Sequence, residues 1–497
     1  MPALSPQPAA RTWQDEIFYM VMTDRFHNGD KTNDQGSQPQ DQHRFHGGDF
    51  QGIIDKLDYL QDVGVTTLWI SPVHQQKRDF FGMDGYHGYW PTDFFQIEQS
   101  FGDMAKLKEL VARAHDKGLK VVVDMVFNHL GYDAPMAKDP DKHEWFHHGG
   151  NTKIPTQKGF EQGEFCGLPD FAQENPEVSR YLIDMAKWLI DETGIDGMRL
   201  DAVKHVPKDF WKQLSSEIHA HAGNDFLLLG EIYHPKPKAT QVYQNEAALD
   251  TVFDFPLNFA LRDTIGYNED TTYLDNLSFF MSNILTHPGE SFRMVRGKDD
   301  GDMRRLSDIF AQDGVYRRPD LLVTMLDNHD MTRFATAAGS HGQERLKLGI
   351  TALMTMRGIP SFYYGTETGM DGGFDSNRKD MEFAGKKDVT DHFRTLAHLR
   401  HDSLALRRGY QKEVLADHDV YAYARLHPKD SVVVALNNAT EVSRRELRMP
   451  SEVKEGTRFE DALSGQVVTV KDGQVTVEIP ARQAVVLRAC ASAPPSR

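Results

Sequence analysis

The chain has 497 residues, a formal charge of −17 at pH 7, and 39% hydrophobic and 26% charged side chains, a balance that supports globular folding around a large core. The acidic excess argues against a nucleic acid or an anionic membrane as partner, since both select basic faces, and suits a neutral substrate. No apolar run is long enough to span a bilayer, so no membrane association is expected.

From the N-terminus, "MPALSPQPAAR" lacks the apolar centre of a secretory signal, which favours a cytoplasmic protein, or a secreted or periplasmic one whose leader has been removed. Short apolar, β-rich runs follow at 17–22, 67–70, 120–126, 197–200, 226–230, 251–255, 321–326 and 361–364, alternating with helical patterns such as 104–117, 178–192, 208–221 and 343–356. Near-continuous apolar strands between helices mean a parallel sheet covered on both faces, and eight such strands fit a closed (β/α)₈ TIM barrel. An open doubly wound sheet is the alternative, but no GxGxxG follows an early strand.

The stretch 130–175 is rich in His, Gly, Pro and Lys and has little periodicity, which predicts a small subdomain inserted after the third strand. Beyond residue 404, "DVYAYARLH", "DSVVVALNN" and "QVVTVKDGQVTVEIP" alternate apolar with polar, and Asp472-Gly473 marks a tight hairpin, predicting an antiparallel β-sandwich. The expected organisation is a barrel over 11–129 and 176–404, the insertion over 130–175, and a C-terminal domain over 405–492. Cys166 and Cys490 lie far apart and are read as free thiols. Oligomeric state leaves no trace in the sequence.

Four runs end alike. "VVVDMVFNH", "GMRLDAVKH", "FLLLGEIYH" and "LLVTMLDNHD" each pass from apolar strand into acid, amide or imidazole. Charges there are costly unless water or substrate reaches them, and the C-terminal mouth of a parallel barrel is such a place. Strand alternation puts Arg199 and Asp201 on one face, so the guanidinium is expected to keep the Asp201 carboxylate ionised. Glu231 follows an unbroken apolar run with no cation beside it in sequence, which predicts a raised pKa suited to a general acid. One carboxyl pushed down and one pushed up is the pairing that glycoside hydrolysis uses. An ordinary buried Arg–Asp bridge would explain Arg199 and Asp201 alone, but not the equivalent placement of Glu231 and Asp330.

Taken together, "DMVFNH", "GMRLDAVKH", "LLGEIYH" and "MLDNHD", with "YHGYW" at 86–90 and "LPD" at 168–170, resemble the alpha-amylase family of glycoside hydrolases from residue 17 to the C-terminal β domain. The resemblance implies that Asp201 is the nucleophile, Glu231 the acid/base and Asp330 the third carboxylate, with Arg199 orienting Asp201. It also implies that His87, His129 and His329 hydrogen-bond the sugar in the cleaved subsite, that Tyr89 stacks beneath it, and that Lys204 and His205 contact the sugar beyond the cut. Trp90 is read as core packing. "LPDFAQENPEV" and "YYGTETGMDGG" look closer to neopullulanases and cyclomaltodextrinases than to animal or fungal amylases.

Calcium is the expected cofactor. Side-chain oxygens of Asn28, Asp30, Asn33, Asp34 and Asp49 with the Gly47 carbonyl would supply six hard ligands, although Asn and Asp in such loops also serve as plain turn formers. The loop resembles the calcium loop of cyclodextrin glucanotransferases and neopullulanases. The family resemblance implies a second site joining Asn128, Asp170 and the His205 carbonyl.

The expected activity is retaining hydrolysis of α-1,4-glucosidic bonds in starch, maltodextrins or cyclodextrins, with an α-glucan as the partner. Transglycosylation is the rival within the class, because the same two carboxylates serve both reactions. Rivals outside it are a non-catalytic protein of this fold, such as a transporter subunit, and a metal-dependent barrel hydrolase. The complete carboxylate set disfavours the first, and the absence of an HxH on the first strand disfavours the second.

Overall fold

The computed structural model describes residues 11–151, 156–267 and 301–490. In chain order its first strands are β1 (Phe18–Val21), β2 (Thr67–Ile70), the antiparallel pair β3 (His74–Gln76) and β4 (Pro91–Ile97), and then β5 (Lys120–Met125), β6 (Gly197–Leu200), β7 (Leu227–Gly230), β8 (Thr251–Val252), β9 (Val323–Thr324) and β10 (Ile359–Tyr363). All but the hairpin join one sheet in the order β8-β7-β6-β5-β2-β1-β10-β9, and every pairing in it is parallel. Phe253, just past β8, bridges Val323 of β9, and the Asp254 N–H donates to the Val323 carbonyl at 2.8 Å. The sheet therefore closes on itself as the expected eight-stranded parallel barrel.

Two barrel strands are much shorter than the apolar runs predict, for local reasons. Asp254 caps the helix Phe255–Asp263 by accepting from the Leu257 N–H, and Pro256 occupies its first turn, so the chain after Phe253 is committed to helix. Pro319 likewise opens a 3₁₀ turn, Pro319–Leu321, ahead of β9. The outer helices follow their patterns more closely. Pro176–Thr193 starts with an Asn175 cap and Pro176, buries Val178, Leu182, Ile183, Met185, Ala186, Leu189 and Ile190, and ends at Gly194 with φ 70°; that left-handed stop suits glycine.

The insertion carries 3₁₀ turns at Pro135–Lys138 and Pro140–Trp145 and a short helix, Gln157–Glu161. The bridge His129–Asp170 ties it to the barrel, and the bridge Phe146–Phe171 pairs two parts of the insertion itself.

The C-terminal strands are β11 (Tyr410–Ala416), β12 (Val420–His427), β13 (Asp430–Asn437), β14 (Ser443–Arg448), β15 (Arg458–Asp461), β16 (Val467–Thr469), β17 (Gln474–Ile479) and β18 (Ala484–Ala489). They form an antiparallel sheet β11-β12-β13-β18-β15-β16 faced by the pair β14-β17. Asp472 and Gly473 make the predicted tight turn, with φ 53° and 70° and reciprocal backbone hydrogen bonds between Lys471 and Gln474.

β12 is buried on both faces. Val420, Ala422 and Ala424 pack into the sandwich with Leu447, Val477 and Leu487, whereas Tyr421 and Tyr423 belong to the barrel core. Tyr423 Oη lies 2.6 Å from Thr355 Oγ1, and Arg425 donates to the Thr355 carbonyl at 2.9 Å. On the other side of the same junction Asp15, only 3% exposed, receives Arg407 at 2.7 Å and Arg408 at 2.5 Å.

Candidate active site

Arg199 is the organising charge. Strand alternation turns it into the barrel, fully buried, while Met198 and Leu200 pack outward. Register then supplies its partners, since Asp124 of β5 pairs with Arg199 and Leu200 pairs with Gly230, which leaves Asp201 and Glu231 side by side past the strand ends. Arg199 Nη1 donates to Asp124 Oδ1 at 3.0 Å and to Asp201 Oδ1 at 2.7 Å. Its Nη2 approaches Glu231 Oε1 to 2.8 Å but has no aligned hydrogen-bond acceptor among the described residues. Ala202, at φ 48°, ends the strand and turns its N–H onto Glu231 Oε2 at 3.1 Å, a left-handed alanine of the kind that persists where its surroundings fix it.

This arrangement corrects two expectations. Glu231 does have a cation beside it, supplied across the strand pair rather than along the chain. The Asp201 carboxyl is pushed well above the usual carboxylate range, because burial outweighs Arg199 and because Glu231 and Asp124 add like charge. Burial also raises Glu231, against Arg199, and takes Asp124 up to about 6. One guanidinium thus faces three buried carboxyls, and burial raises all three.

Asp124 joins the site without being singled out by the sequence motifs. Beyond Arg199 it accepts from Trp69 Nε1 at 3.0 Å and from Tyr89 Oη at 2.7 Å. Its sequence signal was available: it lies two residues beyond Val122, on the inward face of "VVVDM".

Tyr89 adjoins two imidazoles. Its ring is near-parallel to His329, centroids 5.2 Å apart, and to His87 at 5.7 Å. Burial and the nearby cations Arg378 and Arg199 push His329 well below the usual histidine range, and burial with Arg378 does the same to His87, so both rings are neutral. His87 Nδ1 accepts from the Tyr89 N–H at 3.0 Å. His129 stands one layer deeper than expected. It is 2% exposed, its Nε2 lies 3.0 Å from the Tyr89 carbonyl and its Nδ1 lies 3.3 Å from Asn128 Nδ2. His129 thereby props the Tyr89 backbone.

Asp330 occupies the outer wall, its side chain 42% exposed, with Oδ2 3.1 Å from His329 Nε2 and Oδ1 3.1 Å from Arg378 Nη2. Arg378 also donates to the His329 carbonyl at 2.9 Å. No sequence pattern pointed to Arg378, which comes from an irregular loop after β10. Lys204 and His205 follow β6 on the 3₁₀ turn Val203–His205. Lys204 Nζ lies 5.1 Å from the centroid of Phe160, and the His205 ring packs edge-on to Phe160 and Phe165. Both residues thus line the side of the mouth covered by the insertion.

The first calcium candidate has the donor chemistry of an oxygen site. Asn28 Oδ1 and Asn33 Oδ1 are buried without a hydrogen-bond partner. A Cβ on Gly47 would meet Asp34 Oδ1 at 2.4 Å and Asn28 Nδ2 at 2.6 Å, so Gly47, at φ 99°, lets its backbone close against them. Asp49 accepts from the Gly29, Asp30 and Gly52 N–H groups. Asp30 Oδ1 caps the turn Lys31–Asn33 by accepting from Thr32 N and Oγ1. At the second candidate, Asn128 Oδ1 and Asp170 Oδ1 are likewise buried and unpartnered. Asp170 Oδ2 lies 2.7 Å from His147 Nδ1, and burial pushes its carboxyl up to about 7.

The family profile described as alpha amylase, catalytic domain, matches residues 20–422, and that of the neopullulanase-like C-terminal domain matches 410–486. A beta/alpha-amylase of Paenibacillus polymyxa is 36% identical over 96% of this chain, which spans 38% of that larger protein. A cyclomaltodextrinase of a Bacillus species is 32% identical over 87% of this chain and 74% of its own length. The crystal structure of an alpha-amylase from Geobacillus thermoleovorans, complexed with acarbose, is 34% identical and superposes with a TM-score of 0.85, covering 97% of this chain and 100% of that one.

Proposed function

Because the chain belongs to the alpha-amylase family of glycoside hydrolases, we propose that it hydrolyses α-1,4-glucosidic bonds of starch, maltodextrins or cyclodextrins with retention, using Asp201 and Glu231. The observation that carries this reading is the unequal grip of one buried guanidinium. Asp201 receives an aligned hydrogen bond from Arg199 at 2.7 Å, whereas Glu231 is approached at 2.8 Å without alignment. That bond favours the ionised form of Asp201 against the burial that raises both carboxyls, and the mechanism assigns the proton to Glu231 and the attack to Asp201.

In the first step Asp201 attacks the anomeric carbon, the glycosidic C–O bond breaks, and the Glu231 proton passes to the leaving oxygen. Water then gives its proton to Glu231 and its oxygen to the anomeric carbon, freeing Asp201. Tyr89 presents its ring to the sugar while its hydroxyl steadies Asp124, and so Arg199. Asp330, held by Arg378, and the neutral His329 provide an acceptor and an imidazole at the sugar hydroxyls.

Calcium belongs to the same reading. Asn28, Asn33, Asp34, Asp49 and the Gly47 carbonyl would hold one ion, and Asn128 and Asp170 would share a second with the His205 carbonyl. Its contribution would be to fix loops by neutralising their carboxylates, away from the bond-breaking step.

The test is activity on soluble starch, pullulan, β-cyclodextrin and maltoheptaose beside Asp201→Asn and Glu231→Gln, with the product anomer followed by NMR. Loss of activity in both variants and an α-anomeric first product are expected. Full activity in Asp201→Asn would remove the mechanism. Products longer than maltoheptaose would make transfer to a sugar hydroxyl the main reaction.

A further inference from the structure

One loop breaks two local rules at a single residue. Between β3 and β4 the chain makes a tight turn in which Phe80 and Met83 exchange backbone hydrogen bonds of 2.8 and 3.0 Å. Phe81 and Gly82 form its tip, with φ 49° and 84°. A turn with positive φ at both central positions favours Asn-Gly or Asp-Gly and disfavours a bulky side chain. Here the first position holds a phenylalanine whose ring is 88% exposed. It is the most exposed of the large hydrophobic side chains among the described residues, and burial offsets neither the strained backbone nor the wet ring. Positions that violate local preference without a packing gain are candidates for function.

What lies behind Phe81 says which function. Its ring is 4.7 Å from that of Phe80, which stacks on Tyr132 at 3.9 Å with the planes 2° apart. Trp90 packs against both, at 6.0 and 5.1 Å, and reaches His87 at 4.9 Å, which adjoins Tyr89. An unbroken row of rings therefore runs from the residue at the cleaved subsite out to the exposed tip. The partly buried members hold the row rigid, and Phe81 is its open end. A flat apolar ring offered to water at the end of a sugar site matches the C–H face of a pyranose.

We infer that Phe81 is a remote substrate platform, stacking on a glucosyl unit of the same α-glucan chain beyond the one held at Tyr89. The inference rests on the hydrolase reading and adds a preference for longer chains. The occupant is a sugar of the bound substrate, because the row is continuous with the active site.

The experiment compares wild type, Phe81→Ala and Phe81→Asn by kcat/KM on maltotriose and maltoheptaose. The asparagine variant matters because Asn-Gly suits this turn, so it keeps or improves the loop and removes only the ring. In both variants the ratio of kcat/KM on maltoheptaose to that on maltotriose is expected to fall about threefold to tenfold, the range of one aromatic contact, with the loss in KM. An unchanged ratio in both variants would overturn the inference. So would a loss in Phe81→Ala that Phe81→Asn restores, because that pattern belongs to turn geometry. Wild-type protein active on maltoheptaose upholds the hydrolase reading whatever the variants do; wild type inert on both sugars overturns that reading and this inference together.

Discussion

Replacing Arg199 by Met tests the electrostatic account most directly. Met is of comparable bulk but removes the one cation that, among the described residues, touches all of Asp124, Asp201 and Glu231. Breaking a buried ion pair costs about 3–5 kcal/mol, because the partner is left charged and unpaired. Two of these carboxyls are 14% exposed and can take up protons, so the penalty depends on pH. Their folded-state pKa values are raised, so the native protein binds more protons than the unfolded chain and its stability declines as pH climbs through them. Without Arg199 those values rise further. The deficit of Arg199→Met in Tm should therefore be small at pH 5 and widen towards pH 8, on the order of 3–5 °C. Activity should fall by roughly two to three powers of ten as the nucleophile holds its proton, since about 3–4 kcal/mol in the barrel mouth converts to that factor in rate. Calorimetry across pH, with kcat/KM on maltoheptaose, reads both. A Tm deficit independent of pH, or activity above about a tenth of wild type, would refute the role given to Arg199.

Asp15 offers the opposite sign. Arg408 and Arg407 hold its carboxyl down to about 2 despite burial, so its stabilisation is full above the ordinary carboxylate range and is lost as pH falls towards 2. Asp15→Asn should cost about 1–2 kcal/mol at pH 7, and urea denaturation at descending pH should show the gap to wild type closing; a constant gap contradicts the ion-pair account. For calcium, chelation by EGTA should lower the wild-type Tm. Gly47→Ala, whose Cβ would collide with Asp34 and Asn28, should bind added Ca²⁺ at least about tenfold more weakly by calorimetry; equal affinity would exclude that loop as the site.

Much of the site could be read along the chain wherever the deciding geometry was local. Arg199 and Asp201 share a face because they are two apart, and that placed them in the barrel mouth before any fold was known. Glu231 misled, because its cation comes from the neighbouring strand and only register reveals it. Arg378 reaches Asp330 across 48 residues from an irregular loop, where no periodicity exists to follow. His129 ends its strand as a sugar ligand would, and its Nε2 props the Tyr89 backbone. Strands β8 and β9 contracted because a capping aspartate and a proline overrule an apolar run.

The two-sided β12 strand ties the fate of the barrel to that of the sandwich. Valine and alanine on one face and tyrosine on the other make it the wall between two cores, and neither core is complete without it. Detaching the C-terminal domain would strip the barrel of Tyr421 and Tyr423 and bare Phe310 and Thr355, which they contact. Heat or denaturant should accordingly dismantle both regions in one cooperative event, so that an enzyme that retains its barrel also retains its tail.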